Sequence, residues 1–479
     1  MKKNILILLS NILFSTVTFS QGNQCNCLDN LNKLVAKTEE NYAGFPAKVN
    51  DKTSLSYKIL NEELQKKTAT VKNSKLCFYL LKEYVRFFND KHFILSYSND
   101  KDYDNKKVVY SEKYFKRKIS KNRLDSVEGI WVNADTSLKL AIQKSPANTY
   151  KGIVLESKDT KIPLGLVYVT LTPTKNGFIA KEYNSFITTD IPAKQKGNLL
   201  QIWNHTMFGK VYPNKLIKSE QEELDTWKNY NNGLSFQKLS TKTAYLKVPT
   251  FFNNDDKIQQ LVSKSDSIIK TCDNLIVDLT GNGGGSTGWV LFLPYFMTNA
   301  VIQHETYLRI TPDNVKSKLT DLEPFVVNPI PLEYKKYFPD EVVAAYKKAY
   351  QELPTTKKIF YPIPGVTFPL DSITIKPKRI ALIVDDLCGS SAEYFFFISK
   401  QSKKMTTYGI NTIGMMDYEG MSNPTAMPYD KFILTIPIAK SSWTDTNPID
   451  HQGFKPDVLL NNIDPKDWVK HIQKDLERK

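Results

Sequence analysis

Apolar positions along the chain change their period twice. Leu28, Leu31, Leu34 and Val35 share one helical face, and so do Leu76, Leu80, Leu81, Tyr84, Val85 and Phe88, so residues 28 to 90 read as helical. From about 124 to 235, stretches such as "LGLVYVTLTPT" and "GFIAKEYNSF" alternate apolar and polar residues between turn residues. That texture predicts an antiparallel sheet or small barrel. From about 240 the pattern becomes strand, helix, strand. "TAYLKVPTF" reads as a strand, Ile258 to Ile269 as a helix, and "DNLIVDLTGNGGGSTGWVLFLPYF" as a strand, a glycine turn and an apolar helix. Ile380 to Val384 reads as a buried strand and Ala392 to Lys400 as a helix with an aromatic face. Alternating β and α units imply a mainly parallel sheet covered by helices. A long stretch, 300 to 379, carries a helix near Glu341 to Leu353 and is long enough to form a lid.

The predicted organisation is a leader at 1–20, an N-terminal helical segment at 21–120, a β-rich domain at 124–235 and an α/β core at 240–479. A lysine-rich link, "SEKYFKRKISKNR", joins the helices to the β-rich part. The first residues, "MKKNILILLSNILFSTVTFSQGNQ", pair two lysines with an apolar run and small polar residues, as a secretory signal does. That run is too short and interrupted for a membrane span. An exported protein, periplasmic or secreted, with no integral membrane segment after leader removal is expected.

Net charge is +15, and removal of Lys2 and Lys3 with the leader leaves +13. Only six of the cationic residues are arginine, the side chain that reads phosphate and base edges bidentately. The lysines are dispersed, so the charge reads as a solvated surface, with no nucleic-acid partner. Among five cysteines, export favours a disulfide from Cys77 to Cys25 or Cys27. Cys25 and Cys27 could instead be half a metal site, but no histidine pattern accompanies them, and no metal or cofactor is expected. Cys272 and Cys388 flank strand-like runs and read as buried thiols, with Cys388 as a minor alternative nucleophile.

Two turns carry candidate chemistry. "TGNGGGS", Thr280 to Ser286, lacks the spacing of a dinucleotide fingerprint and the lysine of a P-loop. It is either a tight turn needing positive φ or a set of unobstructed N–H groups able to hold an oxyanion. In "VDDLCGSSAE", Ser390 and Glu393 have the S-x-x-E spacing of a capping box. The same strand–turn–helix would equally expose Ser390 as a nucleophile at a helix entrance.

These pieces line up with a known family. "LIVDLTGNGGG", "VDDLCGSSAE" and "GFKPDV" resemble, in order, three motifs of the C-terminal processing, or tail-specific, serine peptidases. With "YLKVPTF", the resemblance spans 240 to 460, the stretch 300–379 excepted. It implies an α/β fold with a crotonase-like peptidase core, beside an N-terminal helical segment and an inserted β-rich domain. It also implies Ser390 as nucleophile, with Ser391 and Gly284 or Gly285 as oxyanion-hole donors. One branch of the family activates its serine with lysine; here Met415 holds that position and cannot take a proton. "FFNDKHFIL" is similar to the histidine motif of the tricorn-like branch, which implies His92 as base. The implied acid is Asp450, with Glu419 and Asp417 as alternatives. Asp450 departs from the family's glutamate, and Lys91 from its serine. No peptide-binding PDZ module is recognisable; the β-rich segment occupies its place. The expected activity is peptide-bond hydrolysis of a peptide or protein substrate. The alternative is an inactive exported binding protein on a peptidase scaffold. Oligomeric state is left open.

Overall fold

The computed structural model describes residues 24–98, 103–104, 106–108, 111–119, 124–335, 338–421 and 424–478. The expected leader, 1–20, lies outside the described residues. The fold is mixed α/β, organised around a six-stranded sheet in the spatial order Ser235–Lys238, Thr243–Lys247, Asn274–Asp278, Arg379–Val384, Met405–Gly409, Val458–Leu459. The first pair is antiparallel and the rest are parallel. Successive side chains leave a strand on opposite faces. Leu275, Val277, Ile380, Leu382 and Val384 therefore pack toward Ile258, Ile269 and Phe395 of helices Asp255–Ile269 and Ser391–Ser399. Ile276, Ala381 and Ile383 pack on the other face, against Trp468, Ile472 and Leu476 of helix Trp468–Arg478. Burial on both faces explains the unbroken apolar runs of the central strands.

The apolar helix expected after the glycine turn is instead a 3-10 turn, Gly288–Phe292, and a four-residue helix, Leu293–Phe296. Pro294 has no N–H to close a helical bond onto the Val290 carbonyl, so one regular helix cannot run through. The lysine-rich link folds in part as helix Glu112–Ile119, which buries Phe115.

Helices Cys27–Asn41, Ser54–Thr68 and Ser74–Phe88 share one core with a small three-stranded sheet. A disulfide joins Cys27 to Cys77, while Cys25, Cys272 and Cys388 are buried free thiols. In the small sheet, Ile94–Tyr97 pairs antiparallel with Phe432–Thr435, so Leu95 lies opposite Leu434. An early segment is thus built into the late part of the chain. Eight strands from Gly129–Asn133 to Thr206–Tyr212 form a closed antiparallel barrel, the last pairing with the first. Within 300–379, helices Pro312–Val326 and Asp340–Glu352 pack together over strand Thr306–Arg309. That strand lies between Phe360–Ile363 and Ala439–Ser441 in a four-stranded sheet. Among the described residues, no helix is long and apolar enough to cross a membrane.

Candidate active site

Ser390 stands between strand Arg379–Val384 and helix Ser391–Ser399 with φ 52° and ψ −122°. Positive φ in a residue other than glycine is costly and persists only where surrounding structure enforces it. Here the enforcing bonds are visible. The Gly389 N–H donates to the Asn282 carbonyl (3.0 Å), and the Ile413 N–H to the Cys388 carbonyl (2.8 Å). Gly389 itself has no room for a side chain, because Met415 and Ile413 close over it.

The capping box suggested by Ser390 and Glu393 does not form: Ser390 makes no side-chain cap. Glu393 is fully buried and turns to the 412–415 loop. It accepts from Thr412 Oγ1 (2.6 Å) and from the N–H groups of Gly414 (2.7 Å) and Met415 (2.8 Å). Burial raises its carboxyl above the ordinary range, opposed by these three donors.

His92 follows helix Ser74–Phe88, which Asn89 ends in the left-handed region at φ 49°. The pairing of Ile94–Tyr97 with Phe432–Thr435 then carries the ring to Ser390: Nε2 lies 3.2 Å from Ser390 Oγ. Nδ1 lies 2.8 Å from the Tyr418 carbonyl oxygen. A carbonyl only accepts, so Nδ1 carries the proton and Nε2 presents its lone pair to the serine hydroxyl. The backbone beneath is held by Asp90, whose carboxylate accepts from the His92 N–H (2.8 Å) and from the Tyr42 hydroxyl (2.7 Å).

The three candidate acids lie close by, but none is hydrogen-bonded to His92 among the described residues. Asp450 pairs with Lys48, lies 3.4 Å from His451 Nε2, and through its own N–H donates to Asp417. Asp450 and His451 sit in a turn, with His451 at φ 66°. Asp417 accepts from the Ile449 and Asp450 N–H groups and from Trp443 Nε1. Glu419 accepts from His304 Nε2 (2.8 Å) and Ser441 Oγ (2.6 Å). Burial pushes the Glu419 carboxyl up, but these two partners and nearby His92 outweigh it and hold the group below its ordinary value. No sequence signal marks a backbone carbonyl as the partner of an imidazole, which is why Tyr418 escaped the motif reading.

Facing Ser390 is the glycine turn. Gly284 has φ +91°, and a Cβ there would sit 2.7 Å from Ser390 Cβ. Its N–H is spent on Asn282 Oδ1 (2.9 Å), which removes it from the pair of alternative oxyanion donors. The bridge between Phe251 and Gly285 engages the Gly284 carbonyl and the Ser286 N–H, so the Gly285 N–H points the other way. The N–H groups of Gly285 and Ser391 have no acceptor among the described residues. Beside them lies a pocket of about 350 Å³ lined by His92, Ser390, Trp289, Tyr394, Met416 and Glu419, among others. Cys388 is excluded as a nucleophile: it is fully buried, donates to the Leu279 carbonyl (2.9 Å), and burial raises its thiol far above the usual range.

The α/β part of the chain is similar to a known family. The model of peptidase family S41 fits residues 242–460. Those residues form an S41 peptidase domain. The chain is thus of serine-peptidase type, consistent with the motifs that resemble the tail-specific enzymes. Among solved structures, CPAF in its mature form complexed with lactacystin is 14% identical, covering 94% of this chain and 97% of CPAF at a TM-score of 0.54. Mature CPAF without that ligand aligns at 13% identity, 94% and 96% coverage and a TM-score of 0.54. The photosystem II D1 C-terminal processing protease aligns at 11% identity, 92% and 94% coverage and a TM-score of 0.39. At these identities the likeness to the two CPAF structures is one of fold. No curated protein matches the sequence.

Proposed function

We propose that the chain is an exported serine endopeptidase with a crotonase-like core, in which Ser390 is the nucleophile and His92 its base. The observation that carries this reading is the 3.2 Å approach of His92 Nε2 to a serine held at positive φ, with the tautomer fixed by the Tyr418 carbonyl. His92 takes the hydroxyl proton as Ser390 attacks a peptide carbonyl. The N–H groups of Gly285 and Ser391 receive the oxyanion, each worth roughly 3 kcal/mol. His92 then protonates the leaving amine, and water hydrolyses the acyl-enzyme. The positive charge that appears on the ring faces three buried carboxylates, Asp90, Glu393 and Glu419, each of which interacts with it electrostatically. That shared field, with the Tyr418 carbonyl, takes the part expected of a single hydrogen-bonded acid. Asp450 is engaged instead by Lys48 and His451.

Export is supported by the leader-like N-terminus and by the Cys27–Cys77 disulfide, a bond that persists in oxidising compartments. A serine-directed fluorophosphonate tests the reading. Modification at Ser390, with peptide hydrolysis reduced on the order of 10⁴-fold in Ser390→Ala, is expected. An unmodified serine in the folded protein would favour the inactive binding protein instead.

A further inference from the structure

The barrel reaches both walls of the catalytic cleft. Trp203 sits in the turn between strands Leu199–Ile202 and Thr206–Tyr212. Its indole Nε1 donates to the Leu387 carbonyl (3.1 Å), three residues before Ser390. The same ring is the wall of Gly283: a Cβ on that glycine would lie 2.2 Å from Nε1. One side chain therefore touches the approach to the nucleophile and the turn that offers the Gly285 N–H. Trp203 is itself held at φ 38°, with the Gln201 amide donating to its carbonyl (2.7 Å) and its own N–H donating to the Pro192 carbonyl (2.9 Å). These two bonds hold the strained backbone that aims the indole.

A second barrel strand, Ile191–Lys196, repeats the contact by charge. Asp385 is buried and ties the two walls together, accepting from the Gly281 N–H (2.9 Å) and the Leu387 N–H (3.2 Å) through Oδ1. Its other oxygen has no hydrogen-bond partner among the described residues and faces Lys194 and Lys196 of the barrel, each 3.9 Å away. Lys194 also pairs with Asp386. A buried carboxylate without compensating charge is costly, so the staple between the walls depends on lysines from another part of the fold.

We infer that the barrel sets the spacing of the oxyanion turn and the nucleophile loop, with Trp203 as a positioning residue. The inference rests on the reading of Ser390 as nucleophile. A displacement of the turn by about 1 Å is enough to cost about 100-fold in rate. Ground-state binding in the pocket beside Ser390 would be unaffected, because the barrel residues do not line it.

The test is the rate constant for fluorophosphonate labelling of Ser390 in the full chain, alongside thermal unfolding and kcat and KM on fluorescently labelled casein. Trp203→Phe keeps an aromatic side chain but loses the indole N–H and the five-membered ring that walls Gly283. It should slow labelling by about 10- to 100-fold and lower kcat with KM unchanged. Gly283→Ala should slow labelling in the parent chain, and add nothing in a Trp203→Ala background, where the wall is gone. Lys194→Gln gives an independent reading, with slower labelling expected. Labelling at the parent rate in Trp203→Phe, or an equal cost of Gly283→Ala in both backgrounds, overturns the inference while leaving Ser390 as nucleophile. An unlabelled parent chain overturns both. Should Trp203→Phe fail to fold, unchanged labelling in Lys194→Gln and Gly283→Ala refutes the inference equally.

Discussion

Replacing Glu393 with alanine separates two physical accounts of the same residue. As half of a capping box it would contribute about 0.5–2 kcal/mol, the ordinary worth of a helix cap. The structure gives it a larger part. Its carboxylate is fully buried and satisfies two backbone N–H groups, of Gly414 and Met415, and the Thr412 hydroxyl. The hydroxyl can rotate toward another acceptor, but the two N–H groups cannot. Each orphaned buried donor costs about 1–3 kcal/mol, so Glu393→Ala should lose about 2–6 kcal/mol from those two alone. Glu393→Gln keeps one oxygen and the shape and should lose about half as much, with the new amide facing one N–H. Urea unfolding followed by tryptophan fluorescence reads the difference, since Trp289 packs with Tyr394 and Phe395 of the same helix. Activity should fall with stability, because the 412–415 loop that Glu393 holds carries Met415, which backs Gly389. A loss under about 1 kcal/mol in Glu393→Ala, or equal losses for Ala and Gln, would refute the reasoning.

Three further outcomes are expected. Asp450→Asn should lower kcat by less than about tenfold, where loss of a hydrogen-bonded triad acid costs about 10⁴; steady-state hydrolysis decides. Gly284→Ala should abolish fluorophosphonate labelling, because both its φ of +91° and the 2.7 Å approach to Ser390 Cβ forbid a side chain; circular dichroism distinguishes a lost site from a lost fold. Burial of Lys210 in the barrel lowers its ammonium to about 8 from 10.5. The folded protein then releases that proton at lower pH than the unfolded chain, so this residue's cost to stability is full below pH 8 and is relieved as pH rises toward 10.5. Urea midpoints across that window should climb in the parent chain relative to Lys210→Met.

Much of the core was legible because its periods were clean. Ile258 to Ile269 falls within helix Asp255–Ile269, and the run Ile380 to Val384 within strand Arg379–Val384. Glu341 to Leu353 differs by one residue at each end from helix Asp340–Glu352. Local spacing failed where a long-range partner won. Ser390 and Glu393 have the spacing of a cap, but the glutamate finds three donors some twenty positions further on. Asp450 sits in the closing motif, yet Lys48, four hundred positions earlier, takes its carboxylate. The motifs named His92 and Ser390 together; the Tyr418 carbonyl that fixes the imidazole tautomer belongs to the backbone, and every residue has one.

The pairing of Ile94–Tyr97 with Phe432–Thr435 also imposes an order of events. A polypeptide delivered amino end first presents the imidazole early, with nothing to dock it. Only when the segment around position 435 has followed does a strand exist to draw that ring onto the hydroxyl. On the proposed reading of His92 and Ser390, the site is therefore assembled only once nearly all of the molecule has arrived.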